Sequence, residues 1–280
     1  MSVIRDLQEQ LQQTETTQFV TTMLRDISAT RLQSIRSEYE ANQAYYAELH
    51  ALMELIKRYA VDQGITLPES ANEQRVYVAV TANRRFYGNL NAHVMEVLGE
   101  RLEAEPTAVG YVLGQTGQQY LENTKVDWNQ SVTMAVFERD IPQPAEVRSV
   151  IAALRGYNEV VVIHPTFINS FRQEPKETDI THQPLQVSPS KPAVDYIFEP
   201  DLPKLLRFFR EQVRLVLFQR VLLETRLALT GARLMKMQRA RERASTLVKQ
   251  ERRSIHKQIS TIQSMRLLET FTGFKSERNI

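Results

Sequence analysis

Two stretches of the chain repeat apolar residues at helical spacing, and the part between them alternates short apolar runs with amphipathic ones. From residue 3 to residue 60 there is neither Gly nor Pro, and Leu7, Leu11, Val20, Leu24, Ile27, Leu32 and Ile35 recur mostly at steps of three, four or their sums. That period predicts a single helix with an apolar stripe, roughly 80 Å long. The stripe is uneven and does not keep a strict heptad. Turn residues and a proline in DQGITLPESANEQ, 62–74, end it.

The middle reads differently. RVYVAVT (75–81), AVGYVLG (108–114), SVTMAVFE (131–138) and EVVVIHPTF (159–167) are predicted strands. NAHVMEVLGERLE (91–103), GQQYLEN (117–123) and AEVRSVIAALRG (145–156) are predicted helices between them. Strand–helix repetition at this spacing argues a small α/β domain around a mostly parallel sheet. Residues 168–200 are polar and rich in proline, with a further strand expected around 181–187 and an edge connection. From Leu202 to about Glu269 the helical period returns through Leu205, Phe209, Val213, Leu217 and Leu222, then Ile255, Ile259, Ile262 and Met265, with Gly231 as its one interior glycine.

Helices of this length expose an apolar stripe that is not stable in water alone, so the two are expected to pair as an antiparallel coiled coil. The expected fold is α/β: two long terminal helices in an antiparallel coiled coil plus a small Rossmann-like α/β domain. Its parts are a helix over 1–60, a globular domain over 75–190 and a helix over 201–272. Polar stretches near 12–19 and 238–254 are expected to make a poor two-helix seam and to face other subunits.

Composition changes this picture in two ways. There is no cysteine among 280 residues, which excludes disulfides, thiolate metal sites and cysteine nucleophiles. The formal net charge is +2, but residues 205–258 hold fourteen Lys or Arg against four Glu, leaving the remainder acidic. A basic helix of this kind suits an acidic protein surface, lipid headgroups or nucleic acid, or is simply a solvated face. Zinc motifs and aromatic platforms are missing and the arginines alternate with large apolar residues, so nucleic acid is not expected. The most apolar candidate span, LRFFREQVRLVLFQRVLL, carries four Arg and a Glu, so no transmembrane segment is expected. The first residues, MSVIRDLQEQ, lack the apolar core of a signal peptide.

Catalytic chemistry is hard to assemble. There is no GxGxxG after a strand and no GxxxxGK[ST] loop. GQTG (114–117) is a weak candidate for a phosphate cradle and a better one for a turn. His50, His93, His164, His182 and His256 form no ligand pair. His164 alone stands near a strand end, where it is either a base or ligand or, more simply, a satisfied structural histidine. Arg84 and Arg85 follow a strand, a usual anion position in open sheets. The competing reading has Asn83 and Arg84 tying down the loop, Gly88 making a tight turn, and Asn89 or Asn91 capping the next helix. No catalytic, cofactor-binding or metal residues are assigned. Three readings stay open: an α/β enzyme of the nucleotide class, a free-standing coiled-coil adaptor, or a subunit of a larger assembly.

Three segments decide among them by resemblance. IRDLQEQLQQTETTQFVTTMLRDISATRL, 4–32, is similar to LRDIxxRIxSxxxTxxITxAMxxVAxxKL through Ile4, Arg5, Asp6, Leu7, Leu11, Thr17, Gln18, Val20, Thr21, Arg31 and Leu32. The loop after the first strand is similar to TSDRGLCGGLN through Thr81, Arg84, Gly88, Leu90 and Asn91. GARLMKMQRARERA, from 231, resembles ARMxAMxxATxNA through Arg233, Met235 and Met237, and LLETFTG, 267–273, resembles a closing ELxEIVxG. Those patterns belong to the gamma subunit of rotary F-type ATP synthases, of which the chain resembles a divergent member. Asn83, Arg85, Phe86, Tyr87 and Asn89 depart from the loop pattern, and QRARERA departs from the helix pattern.

The resemblance implies a non-catalytic central stalk on the cytoplasmic side of a membrane, peripheral and without a cofactor. Its implied partners are a ring of alpha- and beta-type ATPase subunits, a small epsilon-type subunit, and a membrane rotor ring or a substitute. It implies that Arg233, Met235, Lys236, Met237, Arg239, Arg241 and Arg243 contact the ring. Thr81, Arg84, Gly88, Leu90 and Asn91 would then form a structural loop.

Overall fold

The structure, a computed structural model, describes residues 2–65, 74–84, 86–124, 132–139, 141–169, 171–181 and 199–277. A helix without Gly or Pro, α1 (Ser2–Asp62), comes first. It is followed by β1 (Arg75–Val80), α2 (Leu90–Ala104), β2 (Val109–Leu113), α3 (Gln115–Thr124), β3 (Val132–Ala135), α4 (Pro144–Ala153), β4 (Glu159–Phe167) and β5 (Gln173–Asp179). A second long helix, α5 (Leu202–Glu277), closes the sequence. The chain divides into two compact units, one of Ala29–Arg233 and one of Met1–Ser28 with Leu234–Ile280.

In the larger unit the strands lie in the order β3-β2-β1-β4-β5. The first four run parallel and β5 returns antiparallel to β4. Period-two alternation along β1 divides its side chains between two cores. Val76, Val78 and Val80 face Leu49 and Met53 of α1, Val147 and Val150 of α4, and the run Val213–Leu222 of α5. Tyr77 and Ala79 face Val94, Met95 and Leu98 of α2. The central strands are apolar on both sides for this reason, as buried parallel strands are.

β5 was not legible as a strand. Its sequence, QEPKETD, has no apolar residue to alternate. An edge strand pairs on one side only, and Pro175 and the charged residues there suit an edge that must not recruit another chain. The strand expected around 181–187 lies, past Thr181, outside the described residues.

The stripe of α1 needs correcting. In the smaller unit its covered positions include Ile4, Leu7, Leu11, Thr14, Gln18, Thr21, Arg25 and Ser28, which alternate steps of three and four, with Glu15, Thr22 and Leu24 half-buried beside them. In the larger unit the same alternation holds through Leu32, Ile35, Tyr39, Asn42, Tyr46, Leu49, Met53, Ile56 and Ala60. That is a heptad seam. Val20 and Ile27, counted above as seam residues, are 47% and 48% exposed. Polar residues hold the seam instead, because a hydroxyl can be satisfied inside a helix pair. Thr21 and Ser28 donate to the carbonyls of Thr17 and Leu24.

The stretch near 12–19 also belongs to the seam rather than only to a face turned toward other subunits. Thr14 Oγ1 donates to Glu251 Oε1 at 3.0 Å, and Arg252 pairs with Glu15 at 2.7 Å, which ties α1 to α5 in this unit. In the larger unit Arg226 meets Glu38 at 3.1 Å. Arg220 lies 5.7 and 5.8 Å from the ring centroids of Tyr39 and Tyr46, cation–π contacts at the outer range.

His164 is fully buried between β4, β5 and α5. Its Nδ1 donates to the Pro165 carbonyl at 3.2 Å, and its Nε2 accepts from the Thr178 hydroxyl at 3.0 Å. Burial pushes its pKa down to about 4 from 6.5, against the opposing pull of Glu224. It is a neutral, satisfied core histidine. Its folded pKa lies below the unfolded value, so the unfolded chain binds the extra proton between pH 6.5 and 4 and stability falls as the pH drops through that window. Denaturant unfolding at pH 7 and pH 4.5 should show His164→Gln losing about 2 kcal/mol less than the parent chain over this step.

Candidate functional site

In open α/β sheets a ligand sits where the strand order reverses, outside the carboxyl ends of the strands. Here that place lies between β1 and β4, and the loop 81–89 leaves β1 there. Thr81 is buried at the corner. Its hydroxyl donates to the Leu113 carbonyl at 2.8 Å and accepts from the Gly117 amide at 2.9 Å. Gly114 has φ +106°, and a methyl group on it would lie 2.3 Å from the Thr81 carbonyl oxygen. At Gly117 a methyl would lie 2.6 Å from Val112 Cγ1. Both glycines of GQTG therefore serve close packing.

The same geometry removes the phosphate cradle. The first amides of α3 already have protein acceptors. Gln115 N–H donates to Asn83 Oδ1 (3.1 Å), Thr116 N–H to the Ala82 carbonyl (2.9 Å) and Gly117 N–H to Thr81 Oγ1. Asn83 is a bracket, since its Nδ2 also donates to the Phe137 carbonyl at 2.9 Å. Arg84 is exposed, and its carbonyl accepts from the Thr116 hydroxyl at 3.5 Å. Arg85 lies outside the described residues. Asn89 occupies the N-cap position of α2 without a side-chain cap bond. Asn91 turns back, and its Oδ1 accepts from the Ala82 amide at 3.1 Å. Neither asparagine caps α2 through its side chain, and Asn91 is engaged by the Ala82 amide instead.

What covers the loop is α5. Ala82 and Leu90 are buried with Ala228, Leu229 and Ala232, and Tyr87 and Phe167 pack around them. Phe86 (φ +77°) and Gly88 (φ +67°) are both left-handed, and Tyr87 lies between them. The Arg233 guanidinium stands 4.5 Å from the Tyr87 ring centroid. A methyl on Gly231 would lie 2.7 Å from Phe167 Cε2, so the glycine is what lets that ring reach the helix backbone. In the sequence Tyr87 stands out only as a departure from the loop pattern, and Phe167 only as the end of a predicted strand. A lone glycine inside a long helical run was the available signal, because such a residue marks a close approach.

The predicted contact residues on α5 differ in exposure. Arg233, in the larger unit, faces Tyr87. In the smaller unit Lys236, Arg239 and Arg243 are exposed, Met235 and Arg241 are half-buried, and Met237 is buried at 6%. The α1 segment of the same unit carries an outward apolar row that the sequence reading placed wrongly or passed over. It consists of Phe19 (63% exposed), Met23 and Ile27, four residues apart, with Val20 beside Phe19.

Among the described residues no group of three metal-ligating side chains is found, and no helix is long and apolar enough to cross a membrane.

Comparison with known proteins agrees with this architecture. The family model described as ATP synthase matches residues 3–259. An ATP synthase gamma chain of Moorella thermoacetica is 27% identical over 256 residues, covering 89% of each chain. That of Symbiobacterium thermophilum is 26% identical over 254 residues, covering 86% of this chain and 87% of its own. The rotor of the Euglena gracilis mitochondrial ATP synthase superposes with a TM-score of 0.62 at 11% identity, covering 93% of this chain and 99% of the other. The central stalk and c-ring structure from Tetrahymena thermophila contains a chain with a TM-score of 0.59 at 16% identity, covering 79% and 99%. The match to that family model over residues 3–259, together with relatives named as gamma chains, means that this chain belongs to the ATP synthase gamma-chain family.

Proposed function

We propose that this chain is the central stalk of a rotary ATPase, coupling nucleotide turnover in partner subunits to rotation, and that it has no catalytic role of its own. One observation carries the reading. In the unit of Met1–Ser28 and Leu234–Ile280, α1 buries polar residues in its seam and turns Phe19, Val20, Met23 and Ile27 outward. A helix pair stable by itself has the opposite arrangement. Large apolar residues exposed in register mark a surface meant for another protein. A stalk turning inside a ring of alpha- and beta-type subunits is enclosed in that way.

The rest of the surface fits the same partner. Lys236, Arg239 and Arg243 are exposed on α5 and suit carboxylate-bearing loops. Arg241 and Met235 sit at the rim, half-buried. Met265, Leu267, Leu268 and Phe271 are exposed toward the end of α5 and suit an apolar collar. In this reading the helices of 1–60 and 201–272 form the shaft. The globular part, 75–190, meets a small epsilon-type subunit and a membrane rotor ring or its substitute, on the cytoplasmic side. Because the helix faces differ chemically, each orientation presents a different surface to each catalytic interface. The resulting free-energy coupling is reciprocal: shaft angle biases nucleotide affinity, and occupancy biases angle.

The tagged chain should co-purify with an ATPase ring whose subunits are identifiable by mass spectrometry. A chain that purifies alone and turns over nucleotide by itself contradicts the reading. Within the assembled complex, Arg239→Glu with Arg243→Glu should reduce ATP-driven ion pumping at least about fivefold, the scale of a weak allosteric coupling. Phe19→Ser with Met23→Ser separates surface from seam. The isolated chain should keep its stability within about 0.5 kcal/mol, as at exposed positions generally, while ring capture weakens. A large loss of stability in denaturant melts would place those residues in the core instead.

A further inference from the structure

The structure assigns Tyr87 and Arg233 to a clamp that stops α5 from rolling against the sheet, so that torque passes between helix and globular domain; we propose both as positioning residues for coupling. This rests on the central-stalk reading. It reassigns Arg233 from ring contact to internal grip.

Three kinds of contact hold α5 between residues 224 and 233. Thr166 of β4 donates its hydroxyl to Glu224. Phe167, the next residue, lies against the backbone at Gly231, where any side chain larger than hydrogen would displace it. From the loop, Leu90 and Ala82 cover Ala228, Leu229 and Ala232, and Tyr87 stacks under the Arg233 guanidinium. At 3.6 residues per turn these positions are spread over roughly 200° of the helix circumference. A helix gripped over more than half its circumference cannot rotate about its own axis without breaking contacts on one flank. No residue in 212–233 is exposed, and all of them are described.

The loop is built to bear that load. Asn83 ties it to Phe137 and Gln115, and Asn91 ties its far end back to Ala82. Between those ties, left-handed backbone at Phe86 and Gly88 brackets Tyr87. Left-handed backbone at an aromatic residue is costly. An exposed loop with no task would relax it. Arg233 supplies the planar cation that stacks on an aromatic face, which a lysine does less well.

Two measurements test the clamp. In the isolated full chain, Tyr87→Ala should speed amide hydrogen exchange in 86–91 and 224–233 about fivefold, the scale of one cation–π contact in a local opening equilibrium, while Tyr87→Phe should not. In the assembled complex reconstituted in vesicles, Tyr87→Ala should continue to hydrolyse ATP while ions pumped per ATP fall at least about fivefold. Tyr87→Phe should restore the ratio, and Arg233→Gln should resemble Tyr87→Ala. A merely structural role would lower yield or stability and leave that ratio alone. Unchanged exchange in Tyr87→Ala overturns the clamp. Faster exchange with an unchanged pumping ratio overturns its part in coupling. Failure of the parent chain to capture an ATPase ring overturns the central-stalk reading instead, and the exchange result still decides whether the grip exists.

Discussion

Two helices of 61 and 76 residues each carry a face that water disfavours along most of its length. Neither has a compact core of its own, and isolated helices owe little to propensity once they are this exposed. Their pairing therefore comes before everything else. In the larger unit the seam is apolar, with Leu49, Met53 and Ile56 on α1 and Val213, Leu217 and Leu222 on α5. The β-sheet packs its Val76–Val78–Val80 face onto that same cluster. The sheet is thus not an independent body to which helices are attached. The long helices cover that face together with Val147 and Val150 of α4.

That arrangement decides what the sheet can do. A doubly wound sheet keeps its ligand crevice because the helices flank it and leave the strand ends free. Here α5 passes over the reversal point between β1 and β4 and fills it with Ala228, Leu229 and Ala232. Small residues let the helix approach closely. The neighbouring corner is closed by Thr81, Gly114 and Gly117 at van der Waals distance. The amides that would greet an anion donate to Asn83, Ala82 and Thr81 instead. The strand–loop–helix setting survives while its chemistry is replaced by packing.

The sequence made the two helices and four of the five strands legible, because burial on both sides writes long apolar runs and burial on one side writes a period. β5 was not legible, since an edge strand of six polar residues and a proline is specified by its partner and not by its own pattern. The seam of α1 was misread near 20–27 for a related reason. Hydropathy predicts the inside, and there Phe19, Val20, Met23 and Ile27 point out while Leu24 is half-buried. Of the loop residues, Thr81, Leu90 and Asn91 are buried and their bonds or contacts are visible, but their neighbours Tyr87 and Phe167 required coordinates. Long-range packing partners leave no local signature beyond the glycine that admits them.

The inverted chemistry of α1 has an energetic consequence under the central-stalk reading. An apolar side chain moved from water to a packed interior is worth about 1.5–3 kcal/mol, and the seam positions from Thr14 to Ser28 forgo most of that gain. The outward residues hold it in reserve, because Phe19, Val20, Met23 and Ile27 are buried only when something encloses them. Stability of this stretch then depends on its surroundings, by the same mass-action linkage that makes any bound partner stabilise what it binds. An enclosing ring that fits one orientation better than another would feel that difference as a free-energy slope. A seam optimised for its own stability would flatten the slope. A seam that is polar on the α1 side from Thr14 to Ser28, facing Met237, Ala244 and Val248 among the buried residues of α5 in the same unit, with an apolar exterior, keeps this stretch sensitive to what it touches.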